Sequence, residues 1–387
     1  MTEMEDRLKA TSEDLRSAQA VVDQQQGLLS DAGLVDEDDS GIRAGVSDFL
    51  EQVDVSGVIA ASYNHRLVDG QGSINGGNSL FRHPDANTFA LDQFWMVVDK
   101  PVTEDSRGGF HVEFVTGQTG LSQGGESQNE PYLYSGYVSY LAPIGDGVQV
   151  DAGRLATPLG AEVEQTNGNF NITQGNVFAL QPVTHTGVSF STPVSDEVST
   201  VFGIVNGVYS DTFTSTTNDK AYYGQVAFSG DSFGVNVGFI TGDDTSSGGG
   251  DSCAGADCAV TVVDVVITAD PTDDLSLWAN FDYVNNTGND YAANGVAYGI
   301  AGAGRLAVTE KTGLSTRVEF VSADEDFLGT ANDVEVVSVT GTADHTLAEG
   351  LVVRGEVRWD TATKGGNAFA NNKEDQVIAI AEIYYAF

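Results

Sequence analysis

Arginines and carboxylates recurring at alternate positions are the residues of this sequence best placed to act on a solute. Arg317 is followed two residues later by Glu319, and Arg354, Glu356 and Arg358 succeed one another at the same interval. In an extended chain residues two apart share a face, so each group presents its charges from one side of a strand. Arg154 adds a fourth guanidinium. Acidic counterparts, Glu162 and Glu164, fall in segment 157–182, which has no lysine or arginine. Acids facing arginines across a wet passage would set a transverse field that passes polar solutes and turns apolar ones back. The same arginines could instead neutralise neighbouring carboxylates and brace a wall. Arg317 beside Glu319 fits that second role at least as well, and the two roles are compatible.

Other reactive groups give weaker patterns. His111 and His185 have no identifiable serine and acid at a sensible strand spacing, so the chain is expected not to be an enzyme. Cys253 and Cys258 sit five apart in a Gly/Ser/Asp-rich segment, with no histidine or second cysteine pair to complete a zinc site. A small disulfide-closed loop in an oxidising compartment is preferred over free thiols. Asp324-Glu325-Asp326 and Asp243-Asp244 offer clustered oxygens of the kind Ca²⁺ takes, without the spacing of a defined calcium loop. Solvated acidic surface is the better reading, and no cofactor is expected.

The elements that hold these residues follow from composition and period. The 387-residue chain carries 56 acidic against 17 basic residues, a net charge of −39, which rules out a nucleic-acid partner. No stretch approaches the roughly 18–20 apolar residues of a membrane-spanning helix, but a transmembrane strand needs only about 9–11, every second one facing lipid. From about residue 51 the pattern has period two. Leu275, Leu277, Ala279, Phe281 and Tyr283 make one apolar face. Phe233, Val235, Val237 and Phe239 make another. Leu351, Val353, Gly355, Val357 and Trp359 oppose Val352, Arg354, Glu356 and Arg358. Apolar on one side and small, polar or charged on the other suits a wall between lipid and a wet lumen.

Short turns at 142–147, 192–196, 229–231, 270–274, 309–313 and 348–350 alternate with longer polar segments. The latter are 66–86, 118–130, 157–182, 210–218, 243–257, 287–293, 324–331 and 361–372. Tight turns at one end and long loops at the other predict an all-β, transmembrane antiparallel barrel of about 16 strands over residues 51–387. Segment 157–182 is the longest connection and falls between the fifth and sixth strands.

Residues 1–30 differ. Leu8, Leu15, Val22 and Leu29 continue a seven-residue spacing from Met1, with no proline. This predicts a short N-terminal α-helix, either a periplasmic coiled coil between identical chains or an amphipathic helix packed on its own chain. Residues 31–50 read as an acidic linker. Met1-Thr2-Glu3-Met4-Glu5-Asp6 is acidic where a secretory signal would be basic and then apolar, so the sequence reads as a mature form.

At the other end, Tyr385 and Phe387 close a strand whose alternate positions are Val377, Ala379, Ala381 and Ile383. This resembles the terminal strand by which outer-membrane barrels are recognised for insertion, and it implies the barrel-assembly machinery as a partner. Gly153-Arg154-Leu155-Ala156-Thr157-Pro158-Leu159-Gly160-Ala161-Glu162, Phe178-Ala179-Leu180-Gln181-Pro182-Val183-Thr184-His185-Thr186-Gly187-Val188 and Gly203-Ile204-Val205-Asn206-Gly207 together resemble the OmpL-like β-barrel porin family. The resemblance is clearest over 150–207 and does not reach residues 1–30. It implies an outer-membrane channel without naming a cargo, and general porins add the expectation of a homotrimer whose inward loop narrows the lumen. The expected function is passive diffusion of small hydrophilic solutes or ions. An alternative keeps the barrel as an envelope anchor tied to the cell wall through the N-terminal helix, and a third reading is a secreted acidic adhesin.

Overall fold

Period-two patterning is realised as sixteen strands. They are β1 (Asp54–Arg66), β2 (Thr88–Lys100), β3 (Gly108–Thr116), β4 (Tyr132–Ala142), β5 (Val148–Ala156), β6 (Thr184–Pro193), β7 (Val198–Val205) and β8 (Ala221–Ser229), then β9 (Phe233–Gly242), β10 (Val260–Thr272), β11 (Leu275–Asn286), β12 (Gly295–Thr309), β13 (Thr312–Ala323), β14 (Val334–Ala348), β15 (Leu351–Lys364) and β16 (Asp375–Ala386). The computed structural model describes residues 49, 51–67, 87–123, 130–209, 220–242, 259–286, 295–324, 333–365, 369 and 373–387. The N-terminal helix with Leu8, Leu15, Val22 and Leu29, the linker save Phe49, and Cys253, Cys258, Glu325 and Asp326 lie outside them.

Each strand pairs antiparallel with its sequence neighbour, and β16 pairs with β1, so the sheet is a closed barrel. Closure leaves no sheet edge with unpaired backbone groups, the condition for crossing hydrocarbon with strands. At the seam Ile59 faces Tyr385 and Tyr63 faces Ala381. The ring is sealed by a reciprocal pair in which Gly57 N and Phe387 N each donate to the other residue's carbonyl at 3.0 Å. The terminal aromatic is thus part of the closure.

The short turns predicted from sequence join β4 to β5, β6 to β7, β8 to β9, β10 to β11, β12 to β13 and β14 to β15. Gly350, between β14 and β15, has φ +73, and a Cβ there would lie 2.4 Å from the Ala386 carbonyl. Only glycine makes this turn without strain. The long connections leave from the opposite end. In the β3–β4 connection a five-residue helix, α1 (Gln118–Ser122), follows Gly117.

The two faces of the wall differ as the alternation demands. On β11, Leu277 and Phe281 are exposed on the outside while Asn280 and Asp282 are buried on the inside. Val318, outside on β13, is 53% exposed, and its neighbours Arg317 and Glu319 are buried within. Ile383, Tyr385 and Phe387 carry the exposed apolar face to the end of the chain.

Candidate functional site: a loop fixed inside the barrel

Segment 157–183 leaves β5 and does not extend away from the barrel end. Residues 171–178 are all buried, and the inner wall supplies their partners. Glycine at inward positions makes the close approach feasible. A Cβ on Gly238 (β9) would lie 2.4 Å from Leu159 Cδ2, and one on Gly299 (β12) 2.9 Å from Val177 Cγ2. Leu159, Ile172, Val177 and Leu180 join inward aliphatic residues of β7–β14 and β16 in one apolar cluster. Burying these side chains contributes roughly 1.5–3 kcal/mol each.

The charged residues singled out in the sequence provide the rest of the attachment. Arg317 Nη1 donates to Glu162 Oε1 at 2.6 Å and to the Thr173 carbonyl at 2.5 Å. Glu319 Oε2 accepts from Asn176 N at 2.6 Å, and Glu356 accepts from Ile172 N at 2.6 Å and from the Thr173 hydroxyl at 2.6 Å. Arg358 donates to the Gln174 carbonyl at 2.6 Å and to Asp360 Oδ1 at 2.8 Å. Arg354 pairs with Glu382 at 2.5 Å and donates to the Asn169 carbonyl and the Thr166 hydroxyl. Further along, Gln93 on β2 donates to the Glu164 carbonyl at 2.7 Å and accepts from Thr166 N at 3.0 Å. The segment is therefore bonded to strands on both sides of the lumen.

These side chains are shut away from water. Arg317, Glu319, Arg358 and Asp360 side chains are wholly buried, and Arg354 is 3% exposed. Guanidinium groups engaged this way cannot face a passing solute, so the structure places them as braces between wall and loop. Arg154 serves the wall on β5. It donates to the Tyr134 carbonyl at 2.7 Å and to the Tyr132 hydroxyl at 2.5 Å, holding β5 to β4. Glu164 accepts from Gln123 at 2.8 Å, tying the loop to the residue after α1.

A second inward group lies on β2–β5 and escaped the sequence reading. His111 sits between Asp99 Oδ1 at 2.8 Å and Glu113 Oε1 at 2.6 Å, stacked on Tyr137 with ring centroids 5.0 Å apart. Asp151 accepts from Ser139 at 2.6 Å and Gln149 at 2.9 Å. Asp99 keeps 34% of its side chain exposed. Cross-strand register was the missing signal, since Asp99, His111 and Tyr137 are consecutive partners across β2, β3 and β4.

Two further groups of reactive residues have local partners. Gly120-Leu121-Ser122-Gln123-Gly124 has the spacing of a nucleophile elbow, which the sequence reading passed over. Ser122 ends α1, and its hydroxyl donates back to the Thr119 carbonyl at 2.9 Å, while His111 is engaged by the two acids and His185 is 0% exposed beside Gly207. The Ser122 hydroxyl is thus committed to the backbone of its own helix. Asp324 accepts from Val296 N at 2.8 Å and so anchors the start of β12. Among the described residues no group of three or more His, Cys, Asp or Glu is arranged to hold a metal ion.

Comparison with known proteins agrees with this architecture. OmpT of Vibrio cholerae, in a trimer form, superposes with a TM-score of 0.60 at 14% identity, covering 87% of this chain and 99% of that one. A Salmonella typhi OmpF complex with daunomycin gives 0.60 at 12%, covering 87% and 97%. OprB of Pseudomonas putida gives 0.61 at 11%, covering 90% and 98%. At such identities the likeness is one of fold. No protein with a curated description matches the sequence. Residues 52–387 match the family described as "Putative beta-barrel porin-2, OmpL-like". The chain belongs to this OmpL-like β-barrel porin family, and its place is the bacterial outer membrane.

Proposed function

We propose that the protein is a passive channel for small hydrophilic solutes or ions, working as a homotrimer, with segment 157–183 as its constriction. One observation carries the reading: a long connection is fixed inside the lumen by a buried ion pair to β13 and by buried hydrogen bonds to β13, β15 and β16, so the free cross-section is set by the chain itself. Partly exposed inward polar residues on β2, β3 and β5, among them Asp99, Glu113 and Asp151, support a hydrated path beside it. The trimer form of the Vibrio cholerae protein supports the assembly state.

The charge of that path favours cations. Arg317, Arg354 and Arg358 are consumed in buried pairs, whereas Asp99, Glu113 and Asp151 remain partly exposed on β2, β3 and β5. Carboxylates along a narrow aqueous path raise the local concentration of cations and repel anions. A structurally similar porin of Comamonas acidovorans, described as anion-selective, has the opposite preference.

Single-channel recording of detergent-purified protein in a planar bilayer under a salt gradient tests all three parts. Conductance steps in groups of three with a cation-selective reversal potential are expected. Silence from folded, inserted protein would overturn the channel and favour the envelope anchor, with the lumen filled by its own loop.

A further inference from the structure

Two aspartates occupy the middle of the surface on which the loop rests. Asp264 on β10 and Asp282 on β11 are directly paired across the two strands, both pointing inward and both 0% exposed. Their inward neighbours in the same row are Gly238 on β9 and Gly299 on β12, the glycines against which Leu159 and Val177 pack. The ends of the loop converge on the pair. Gly160 N donates to Asp264, and Gln181 Nε2 donates to Asp282 Oδ2 at 2.6 Å. Between them Asn280 donates to Asp264 Oδ2 at 2.7 Å and accepts from Ala161 N at 3.1 Å.

That arrangement leaves Asp264 Oδ1 and Asp282 Oδ1 buried without a hydrogen-bond donor, although the two carboxyl groups project side by side from directly paired positions. Among the described residues, the charged and titratable groups facing the pair are the two aspartates themselves. β9 and β12 contribute glycine, the loop contributes Gly160 and Gln181, and no lysine, arginine or histidine among the described residues pairs with either. Two adjacent carboxylates cannot both stay ionised out of water without a compensating positive charge. Two free oxygens fall far short of the six to eight that Ca²⁺ takes. A single proton fits.

We propose that Asp264 and Asp282 share one proton, forming a carboxyl–carboxylate latch that docks both ends of segment 157–183 onto β10–β11, and that losing this proton releases the loop. With the proton present, one Oδ1 donates to the other and the pair carries one charge, met by Gly160, Asn280 and Gln181. With it gone, two buried negative charges repel at contact, and the row loses its hold on Gly160, Ala161 and Gln181. Docking stands apart from the channel reading, while its effect on conductance rests on that reading.

Hydrogen exchange of the full-length protein in detergent tests the latch directly, comparing wild type with Asp282→Asn at each pH so that the intrinsic rate cancels. The variant keeps the shape and supplies a permanent donor. Exchange at 157–183 is expected to rise at least tenfold in the wild type relative to the variant as the solution becomes alkaline, while β2–β5 stay equal. Equal loop exchange in both proteins at every pH would overturn the latch. So would protection lost on adding a chelator or restored by Ca²⁺, which would put a metal in the proton's place. Asp264→Asn is the second variant and should behave as Asp282→Asn does. In bilayers, wild-type conductance should grow in alkaline solution and that of both variants should not. No conductance at any pH removes the channel reading and leaves the exchange result standing.

Discussion

Arg317 on β13 and Glu162 in the loop after β5 are 155 residues apart in sequence and 2.6 Å apart in the barrel. Their contact spans the lumen, because β13 lies eight strands from β5 in a ring of sixteen. A buried pair of this kind stabilises little relative to apolar groups of the same shape, yet removing one partner is costly because the other charge stays buried.

Arg317→Met and Glu162→Gln should each lower stability by about 3–5 kcal/mol. The double variant should lose less than the sum, since no charge is stranded. Heat-induced loss of the folded species on unheated gels gives the comparison, and additive losses would show that the pair acts independently.

Gly238→Phe should displace Leu159 and with it the loop, increasing single-channel conductance. Gly355→Phe is the control, because a side chain there meets nothing within 4 Å on the outer face. Equal conductance in the two variants would dissociate the loop from the constriction.

Neutralising the exposed lumen acids should weaken cation preference. Asp99→Asn combined with Asp151→Asn is expected to move the reversal potential toward zero at unchanged stability. Arg358→Gln, by contrast, removes a buried brace and should act on stability and conductance. A reversal potential indifferent to both acids would place selectivity elsewhere in the path.

Val318→Arg puts a charge on the lipid-facing side between Arg317 and Glu319. A midplane arginine on a barrel exterior costs about 2–4 kcal/mol, to be read from unfolding in liposomes. Thr316→Ser on the same face should be nearly neutral.

Deleting Phe387 removes both backbone bonds to Gly57 and opens the seam between β1 and β16. Folded barrel should accumulate more slowly during insertion into lipid vesicles. Phe387→Leu keeps the backbone pair, so it separates closure from any need for the aromatic ring.

Period two along the chain, the turn residues and the short–long alternation determined the barrel, a strand number of about sixteen and the inner or outer face of the strands that alternate clearly. These are local properties: backbone pleating fixes the side of each residue, and turn chemistry fixes where the chain reverses. Alternation likewise made Arg317, Glu319, Arg354, Glu356 and Arg358 inward residues. It could not say what they would meet. Whether Arg317 faces water or Glu162, and whether Asp264 and Asp282 stand apart or side by side, depends on ring closure, on strand register and on the path of one loop. The register of one hairpin sets Asp264 against Asp282, whereas Arg317 and Glu162 meet across 155 positions, and only tertiary packing brings residues so far apart together.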